Sequence, residues 1–315
     1  MDVSVIIVNW NTRDLLARAI VSARKWTGDL SVETIVVDNG SADGSAEMVY
    51  RLYSNVQLIA NDDNIGYTRA CNQGLARAQG RYILFLNSDA ELTRGCLPEL
   101  VRVMDENQDI GACSPVWTDE RKDVPAGVFP RLSLRLLPVK TNTRIEHRMI
   151  RAFYRDASLY DVEWLIGACL MVRREVVEQI GGMEERLFMW YDDADWCLRM
   201  KKAGWRRVVV TTAVCHHEHG ASASKVPSLQ ADFRMTMAEY TYWRIHRGRV
   251  LTTILYLNRL GRLFVRWAYY VPRNMIGGNR EGALKAELRL TAARLGWHVK
   301  HGGDILVRAP RAYRG

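Results

Sequence analysis

The first 116 residues alternate between short apolar runs and segments in which apolar residues recur every three to four positions. Such alternation is typical of strands and helices that follow one another along the chain. The pattern predicts strands at residues 3–8, 34–37, 56–60, 82–86 and 111–116, and helices at 15–23, 45–52, 67–78 and 97–104. This order predicts an α/β fold with a doubly wound, mostly parallel sheet flanked by helices.

Beyond residue 116 the alternation changes. Residues 131–155 carry seven Lys and Arg side chains against a single acid, and we interpret residues 117–163 as an insertion or lid. Apolar strands are predicted again at 164–173 and 208–210, with a helix at 175–180. From Arg234 the pattern changes to long helices. The sequence therefore predicts one body at 1–233 and a helical extension at 234–315.

Charge is distributed unevenly between these two parts. The chain has a net charge of +9, but residues 234–315 carry 16 basic and 4 acidic side chains, whereas residues 1–233 are slightly acidic. Arginines at 259, 262, 266 and 273 alternate with leucines and aromatic residues at helical spacing. This basic amphipathic pattern favours an anionic membrane surface as partner. The alternative is that these helices pack on the first body or on a second subunit, so a homodimer stays open.

Several function classes are disfavoured by what the sequence lacks. No nucleic-acid-binding motif accompanies the basic charge. Neither a Gly-x-Gly-x-x-Gly nor a Gly-Lys-Ser/Thr loop is present, which argues against a nicotinamide-dependent oxidoreductase and an ATPase. Six scattered cysteines without a Cys-x-x-Cys pair predict buried free thiols in a reducing compartment. No charge-free apolar run reaches about 18 residues, so no transmembrane helix is expected, nor is a secretion signal.

Polar side chains stand where the predicted strands end, at Asn9, Asp38, Asn87 and Asp89. In open α/β sheets, ligands bind beyond the carboxyl ends of the strands, which would bring these positions together. A carboxylate at Asp38 could accept hydrogen bonds from a nucleobase or a ribose hydroxyl. On local sequence alone, a turn followed by a capped helix is the favoured interpretation of the segment after it.

Three further clusters carry candidate chemistry. Asp89 and Glu91, two positions apart, could bind Mg²⁺ or Mn²⁺ through oxygen, although a solvated loop is an equal alternative. Three acids between residues 192 and 195 lie among aromatic residues, where a carboxyl pKa can rise and suit a general base. A helix N-terminus rich in acids would account for one of them. The third cluster holds three histidines, any of which could bind a metal: His216, His217 and His219.

Taken in order, these motifs resemble those of the inverting family 2 glycosyltransferases, in particular the rhamnosyltransferase-like branch of bacterial polysaccharide synthesis. The resemblance covers about residues 3–225. It rests on VIIVNWN at 5–11, VDNGSADGS at 37–45, NIGY at 64–67 with Asn72, FLNSD at 85–89, GACLMVR at 167–173, YDDAD at 191–195 with Arg199 and Gly204, and HEHGAS at 217–222. Asn-Ser-Asp replaces the usual Asp-x-Asp, Asp192 stands where Glu is usual, and Trp196 stands where a small aliphatic residue is usual.

The resemblance implies a GT-A fold and a role for each matching position. Asp193 would be the catalytic base, and Mg²⁺ or Mn²⁺ would be held by Asp89 and His217. Seven residues would line the nucleotide pocket: Val8, Trp10, Asp38, Asn64, Gly66, Asn72 and Ser88. Five more would support these groups: Glu91, Asp192, Asp195, Arg199 and His216.

The implied activity is inverting transfer of rhamnose or a related hexose from a dTDP- or UDP-linked donor. The acceptor would be a polyprenyl-diphosphate-linked or polysaccharide glycan of the cell envelope. Residues 1–116 would form the nucleotide-binding half of the catalytic domain and 164–233 the acceptor half, in a cytoplasmic protein held peripherally at the inner membrane face. The alternative is a non-catalytic nucleotide-sugar-binding protein or a membrane-associated scaffold.

Overall fold

The strands and helices follow the predicted alternation through residue 118. The computed structural model describes residues 1–118, 125–137, 141, 143–146, 148–149, 158–218, 228–276 and 281–307. Its strands are β1 (Val3–Asn9), β2 (Val32–Asn39), β3 (Val56–Asn61), β4 (Tyr82–Asn87), β5 (Ala90–Leu92), β6 (Ile110–Thr118), β7 (Ala126–Gly127), β8 (Leu159–Asp161), β9 (Trp164–Leu165), β10 (Cys169–Arg173) and β11 (Arg206–His217). Its helices are α1 (Arg13–Lys25), α2 (Ser45–Leu52), α3 (Tyr67–Leu75), α4 (Cys96–Glu106), α5 (Leu132–Arg135), α6 (Arg174–Ile180), α7 (Asp192–Lys202), α8 (Ser228–Ile276) and α9 (Glu281–Leu306).

The central sheet is mixed and mostly parallel, as predicted. Its order is β3-β2-β1-β4-β10-β6-β11-β5, with β8 paired to β11. Strands β3, β2, β1 and β4 are parallel, and Asn9 pairs in register with Asp38. The inserted β10 runs antiparallel to both β4 and β6. The carboxyl ends of β1, β2 and β4 therefore meet at one edge of the sheet.

Two local features differ from the expected elements. The single strand predicted at 164–173 is divided into β9 and β10, with residues 166–168 between them. The segment after Asp89, where a solvated loop was the alternative, forms β5 and pairs antiparallel with β11, so that Ala90 lies opposite His217.

The core of this sheet is packed as its apolar pattern requires. Leu16, Ala19 and Ile20 of α1 are fully buried. Helix α3 lies so close to β1 that a Cβ at Gly74 would stand 2.5 Å from the Cγ2 atom of Ile6. Burying a Leu or Ile side chain contributes about 1.5–3 kcal/mol to the free energy of unfolding. This packing keeps the ends of the strands in fixed positions. All six cysteines are buried free thiols, as expected.

The chain forms two units, Met1–Phe129 with Thr143–Lys225, and Pro130–Asn142 with Val226–Gly315. The second unit is helical, and α8 is interrupted at Gly248, whose φ is 77°. Its core is aromatic: Phe233 stacks on Trp297 with ring centroids 5.0 Å apart, and Tyr240 is buried. No helix among the described residues is both long and apolar enough to cross a membrane.

Candidate active site

A hydrogen-bonded network joins the ends of β2, β1 and β4. The buried carboxylate of Asp38 accepts hydrogen bonds from the Asn9 side-chain amide at 2.8 Å and from the Ser41 backbone N–H at 3.0 Å. The Oδ1 atom of Asn9 accepts a hydrogen bond from the Thr12 hydroxyl at 2.7 Å. That hydroxyl lies 2.8 Å from the hydroxyl of Ser88. The network holds Asp38 and Ser88 in fixed positions at one sheet edge.

Two partly exposed side chains, Val8 and Trp10, flank buried Asn9 at this edge. The next residue, Asn11, has a left-handed backbone with φ 56°. Its Oδ1 atom accepts a hydrogen bond from the Ala42 backbone N–H at 2.7 Å, which fastens the β1–α1 loop to the segment after β2. Val8 and Trp10 thus adjoin Asn9, the residue that pairs with Asp38 in the sheet.

The segment leading into α3 is held by Asn39, a residue to which sequence reasoning gave no role. The Asn39 amide donates to Asn64 Oδ1 at 3.0 Å, and its Oδ1 accepts from the Ile65 backbone N–H at 3.1 Å. Gly66 has a φ of 98°, and a Cβ there would stand 2.7 Å from the ring of Phe188. Only glycine fits such a position without displacing its neighbour. Asn64 and Gly66 therefore lie in a rigid turn against the loop that carries Phe188.

Asn72 clamps α3 to that same loop. Its side-chain amide donates to the Met183 carbonyl at 2.9 Å, and its Oδ1 accepts from the Met183 backbone N–H at 2.9 Å. The buried Thr68 hydroxyl donates to the Leu187 carbonyl at 2.5 Å. The pocket role that the resemblance implies for Asn72 would therefore be exercised through this loop.

The loop ends in two consecutive residues with left-handed backbone, Trp190 with φ 69° and Tyr191 with φ 62°. This conformation costs about 1–2 kcal/mol per non-glycine residue, and such strain concentrates at functional sites. It sets the direction of the first turn of α7, which begins at Asp192. The strain was not visible in the sequence, because neither residue is of a type that favours positive φ.

The helix that follows is braced by an ion pair. Asp195 is almost fully buried, and its Oδ2 accepts from Arg199 Nε at 2.9 Å. The guanidinium of Arg199 also donates to the carbonyls of Ile180 and Gly182, each at 2.8 Å. Asp195 and Arg199 therefore support the acidic turn by fixing α7 to the end of α6.

Asp193, the candidate base, has both carboxylate oxygens directed at backbone N–H groups. Its Oδ1 accepts from the Ala194 backbone N–H at 2.8 Å, and its Oδ2 faces the Gly167 N–H at 3.4 Å. Burial, together with the neighbouring Asp192 carboxylate, raises the pKa of Asp193 well above its ordinary value. Burial also raises the pKa of Asp192 to about 6. A carboxyl group with a raised pKa accepts a proton more readily.

Tyr67 connects this acidic turn to the end of β4. Its buried hydroxyl lies 3.3 Å from Asn87 Oδ1 and 3.4 Å from the Gly167 carbonyl, and the Gly167 N–H faces Asp193. Burial raises the pKa of Tyr67 well above its ordinary value, so it stays protonated and donates. Tyr67 belongs to the NIGY motif, yet its linking role depends on contacts that are distant in sequence.

The candidate metal ligands lie together at the start of β5. Asp89 Oδ1 is 3.3 Å from His217 Nε2, and their side chains are only 9% and 7% exposed. The ring of Trp117 packs edge-on against the imidazole, with centroids 4.9 Å apart. The exposed His216 instead contacts Thr118 through Nδ1. Successive side chains of a strand point to opposite faces, so His217 is the one that faces Asp89.

Glu91 lies beside this pair but faces elsewhere: its Oε1 is 3.4 Å from Nε of Arg18, which also contacts Glu218. His219 lies outside the described residues. Among the residues that are described, no three His, Cys, Asp or Glu side chains form a metal-binding group. A buried carboxylate with an imidazole still fits Mg²⁺ or Mn²⁺, because such ions at phosphate sites take few protein ligands and complete their shell with substrate oxygens.

Comparisons with known proteins identify the family of this chain. The model of the family described as Glycosyl transferase family 2 matches residues 4–181. The chain is 29% identical over 258 residues to the N-acetylglucosaminyl-diphospho-decaprenol L-rhamnosyltransferase of Mycobacterium tuberculosis, covering 74% of this chain and 81% of that protein. It is 25% identical over 215 residues to the low-salt glycan biosynthesis hexosyltransferase Agl10 of Haloferax volcanii, covering 64% of this chain and 62% of that protein.

Among solved structures, the mannosyltransferase PcManGT of Pyrobaculum calidifontis, in complex with GDP-Man and Mn²⁺, superposes with a TM-score of 0.56 at 16% identity. The match covers 96% of this chain and 87% of that one. The likeness confirms the predicted GT-A fold.

Proposed function

The chain belongs to glycosyl transferase family 2, and on that premise we propose that it transfers a sugar from a nucleotide diphosphate to a glycan acceptor with inversion at the anomeric carbon. One observation supports the proposal above the others. Hydrogen bonds link Asp38 to Ser88 on one side, and Tyr67 links the end of β4 to the turn that carries Asp193 on the other. The acid proposed to bind the nucleoside, the pair proposed to hold the metal and the proposed base would thus surround one sheet edge.

The donor would lie across the ends of β1, β2 and β4. Asp38 would bind the nucleoside, with Val8 and Trp10 as its partly exposed walls. Asp89 and His217 would hold Mg²⁺ or Mn²⁺, and the cation would neutralise charge on the diphosphate when bound. The Mycobacterium tuberculosis relative is named an L-rhamnosyltransferase, which supports rhamnose or a related hexose as the transferred sugar. A dTDP or UDP carrier is proposed from the resemblance of the motifs.

Asp193 would take the proton from an acceptor hydroxyl. The resulting oxygen attacks the anomeric carbon from the face opposite the diphosphate, the new C–O bond forms, and the bond to the diphosphate breaks with its electron pair on the departing phosphate oxygen. Asp193 ends protonated, and the configuration of the sugar is inverted. Its raised pKa suits this role, because a more basic carboxylate takes the proton of a hydroxyl group more readily.

The acceptor is proposed to be linked to a polyprenyl diphosphate, as the name of the relative indicates for that protein. Such an acceptor would place the enzyme peripherally at the cytoplasmic face of an anionic membrane. The strongly basic C-terminal segment supports this location.

The test is a transfer assay with dTDP-, UDP- and GDP-linked hexoses, with and without Mn²⁺ or Mg²⁺, and a synthetic polyprenyl-diphosphate acceptor. Mass spectrometry should detect one added hexose only with metal and one class of donor. Nucleotide-sugar binding without transfer to any glycan acceptor would instead favour the non-catalytic alternative.

A further inference from the structure

The second unit presents an apolar stripe to solvent on α8. Five side chains form this outer stripe, spaced as one helix face and each 40–73% exposed: Val250, Ile254, Leu257, Phe264 and Val265. The opposite side of the same helix is buried at Thr252, Leu255 and Tyr256. Over residues 250–256 the helix is therefore packed on one side while its apolar stripe stays uncovered, and the stripe continues along residues 257–265, none of which is buried.

The concentration of exposed apolar side chains here is unusual for the molecule. Of fourteen large hydrophobic residues exposed in the described part of the chain, six fall between residues 250 and 269. Single exposed apolar residues need no explanation, but a contiguous patch marks an interaction surface.

The charge around the outer stripe is mainly positive, although two of its arginines are paired with acids, Arg266 with Glu287 and Arg259 with Glu239. Residues 240–280 contain eight arginines and no acid. Beside the stripe, a groove of about 560 Å³ combines apolar walls at Leu257 and Val265 with the guanidinium groups of Arg262 and Arg266. Tyr269 also lines the groove. An apolar wall next to cationic groups is suited to an amphiphile with an anionic headgroup.

This charge selects between the candidate occupants. A second copy meeting the stripe about a two-fold axis would place each arginine cluster against its own equivalent, which is repulsive. Nucleic acid would neutralise the arginines but would leave the apolar stripe in water. An anionic bilayer would both neutralise the arginines and cover the apolar stripe, because aliphatic and aromatic side chains enter the acyl boundary while arginines remain at the headgroups.

We propose that the outer stripe of α8 is the surface by which this protein docks on membranes of anionic phospholipid. This inference rests on the proposed function in one respect: docking would bring the active site to a lipid-linked acceptor. The helix would lie in the plane of the interface, with its stripe about 5–10 Å deep.

The test uses the full chain, vesicles of phosphatidylcholine with or without phosphatidylglycerol, and co-sedimentation at low and high salt. The double variant Phe264→Ser, Val265→Ser removes the centre of the stripe. Its matched control is Tyr50→Ser, Leu52→Ser, which alters two large side chains on α2 that are at least as exposed. We expect binding of the native protein only to phosphatidylglycerol vesicles, weakened by salt, with at least about a tenfold loss in the stripe variant and no change in the control.

Equal vesicle binding by the native and stripe variants, with native-like circular dichroism in both, would overturn the proposal. The proposal would also be overturned if the native protein did not bind vesicles and the stripe variant were a monomer in light scattering where the native protein is a dimer. Transfer to a short water-soluble acceptor separates the two proposals. Native transfer without vesicle binding rejects the docking surface alone, whereas vesicle binding without transfer to any acceptor rejects the enzymatic function alone.

Discussion

Replacing Asn72 with alanine tests how the catalytic turn is held in place. The substitution removes two 2.9 Å hydrogen bonds between α3 and the backbone of Met183, a residue whose own exposure is only 4%. Each bond contributes about 1 kcal/mol net, and a buried backbone group left without its partner costs about 1–3 kcal/mol. We therefore expect a loss of about 2–4 kcal/mol, which lowers the melting temperature by roughly 5–15 °C.

The kinetic consequence follows from where the loop leads. Residues 183–191 lead into the turn that carries Asp193, so a loosened loop would misplace the proposed base while the proposed nucleoside contacts at Asp38 would persist. We expect Asn72→Ala to lower kcat by about tenfold or more with little change in the donor dissociation constant. Calorimetric melting, donor titration and steady-state transfer measure the three quantities.

The adjacent Gln73→Ala variant is the control, because it also removes two 2.9 Å hydrogen bonds, but these join Asn61 rather than the catalytic loop. Its kcat should stay near the native value. If Asn72→Ala instead weakens donor binding more than about tenfold and leaves the melting temperature unchanged, Asn72 contacts the nucleotide directly and the clamp argument is wrong.

Three further substitutions test neighbouring parts of the site. Gly66→Ala should lower stability by about 1–3 kcal/mol in denaturant titrations, because its φ is 98° and a Cβ would meet Phe188; unchanged stability would show that the turn can rearrange. Because the pKa of Asp192 is raised to about 6 when folded, the native state favours its protonated form and this group's contribution to stability falls as pH rises from 4 to 6. Asp192→Asn should then melt higher than the native protein above pH 6, an advantage that vanishes near pH 4, and equal melting at pH 8 would count against it. Tyr67→Phe should lower kcat about five-fold at unchanged donor KM, whereas a rise in KM alone would place the hydroxyl on the donor instead.

Periodicity was sufficient to predict the fold class, because β1, β2, β4 and β6 are largely buried on both faces and the helices between the strands are amphipathic. The positions of Asp38 and Asp89 at strand ends followed from the same rule. Short elements could not be predicted from periodicity. Strand β5 has only three residues, and it pairs with residues of β11 that lie more than a hundred positions away in the sequence.

The finer parts of the site depend on tertiary contacts that the sequence does not display. Side chains alternate between the two faces of β11, and this alternation selects His217 over His216 once the ends of the strand are known. The predicted strand covered only residues 208–210 and therefore included neither histidine. The strained backbone at Trp190 and Tyr191 exists only because the surrounding loop is clamped. The link through Tyr67 joins three segments separated by up to a hundred residues.

The most direct test of the account is the transfer rate of Asp193→Asn at saturating donor, with donor affinity measured on the same preparation. The account predicts a fall of about 10²–10⁴-fold in transfer, with metal-dependent donor binding close to that of the native protein. Turnover near the native rate in that variant would contradict the assignment of Asp193 as the base.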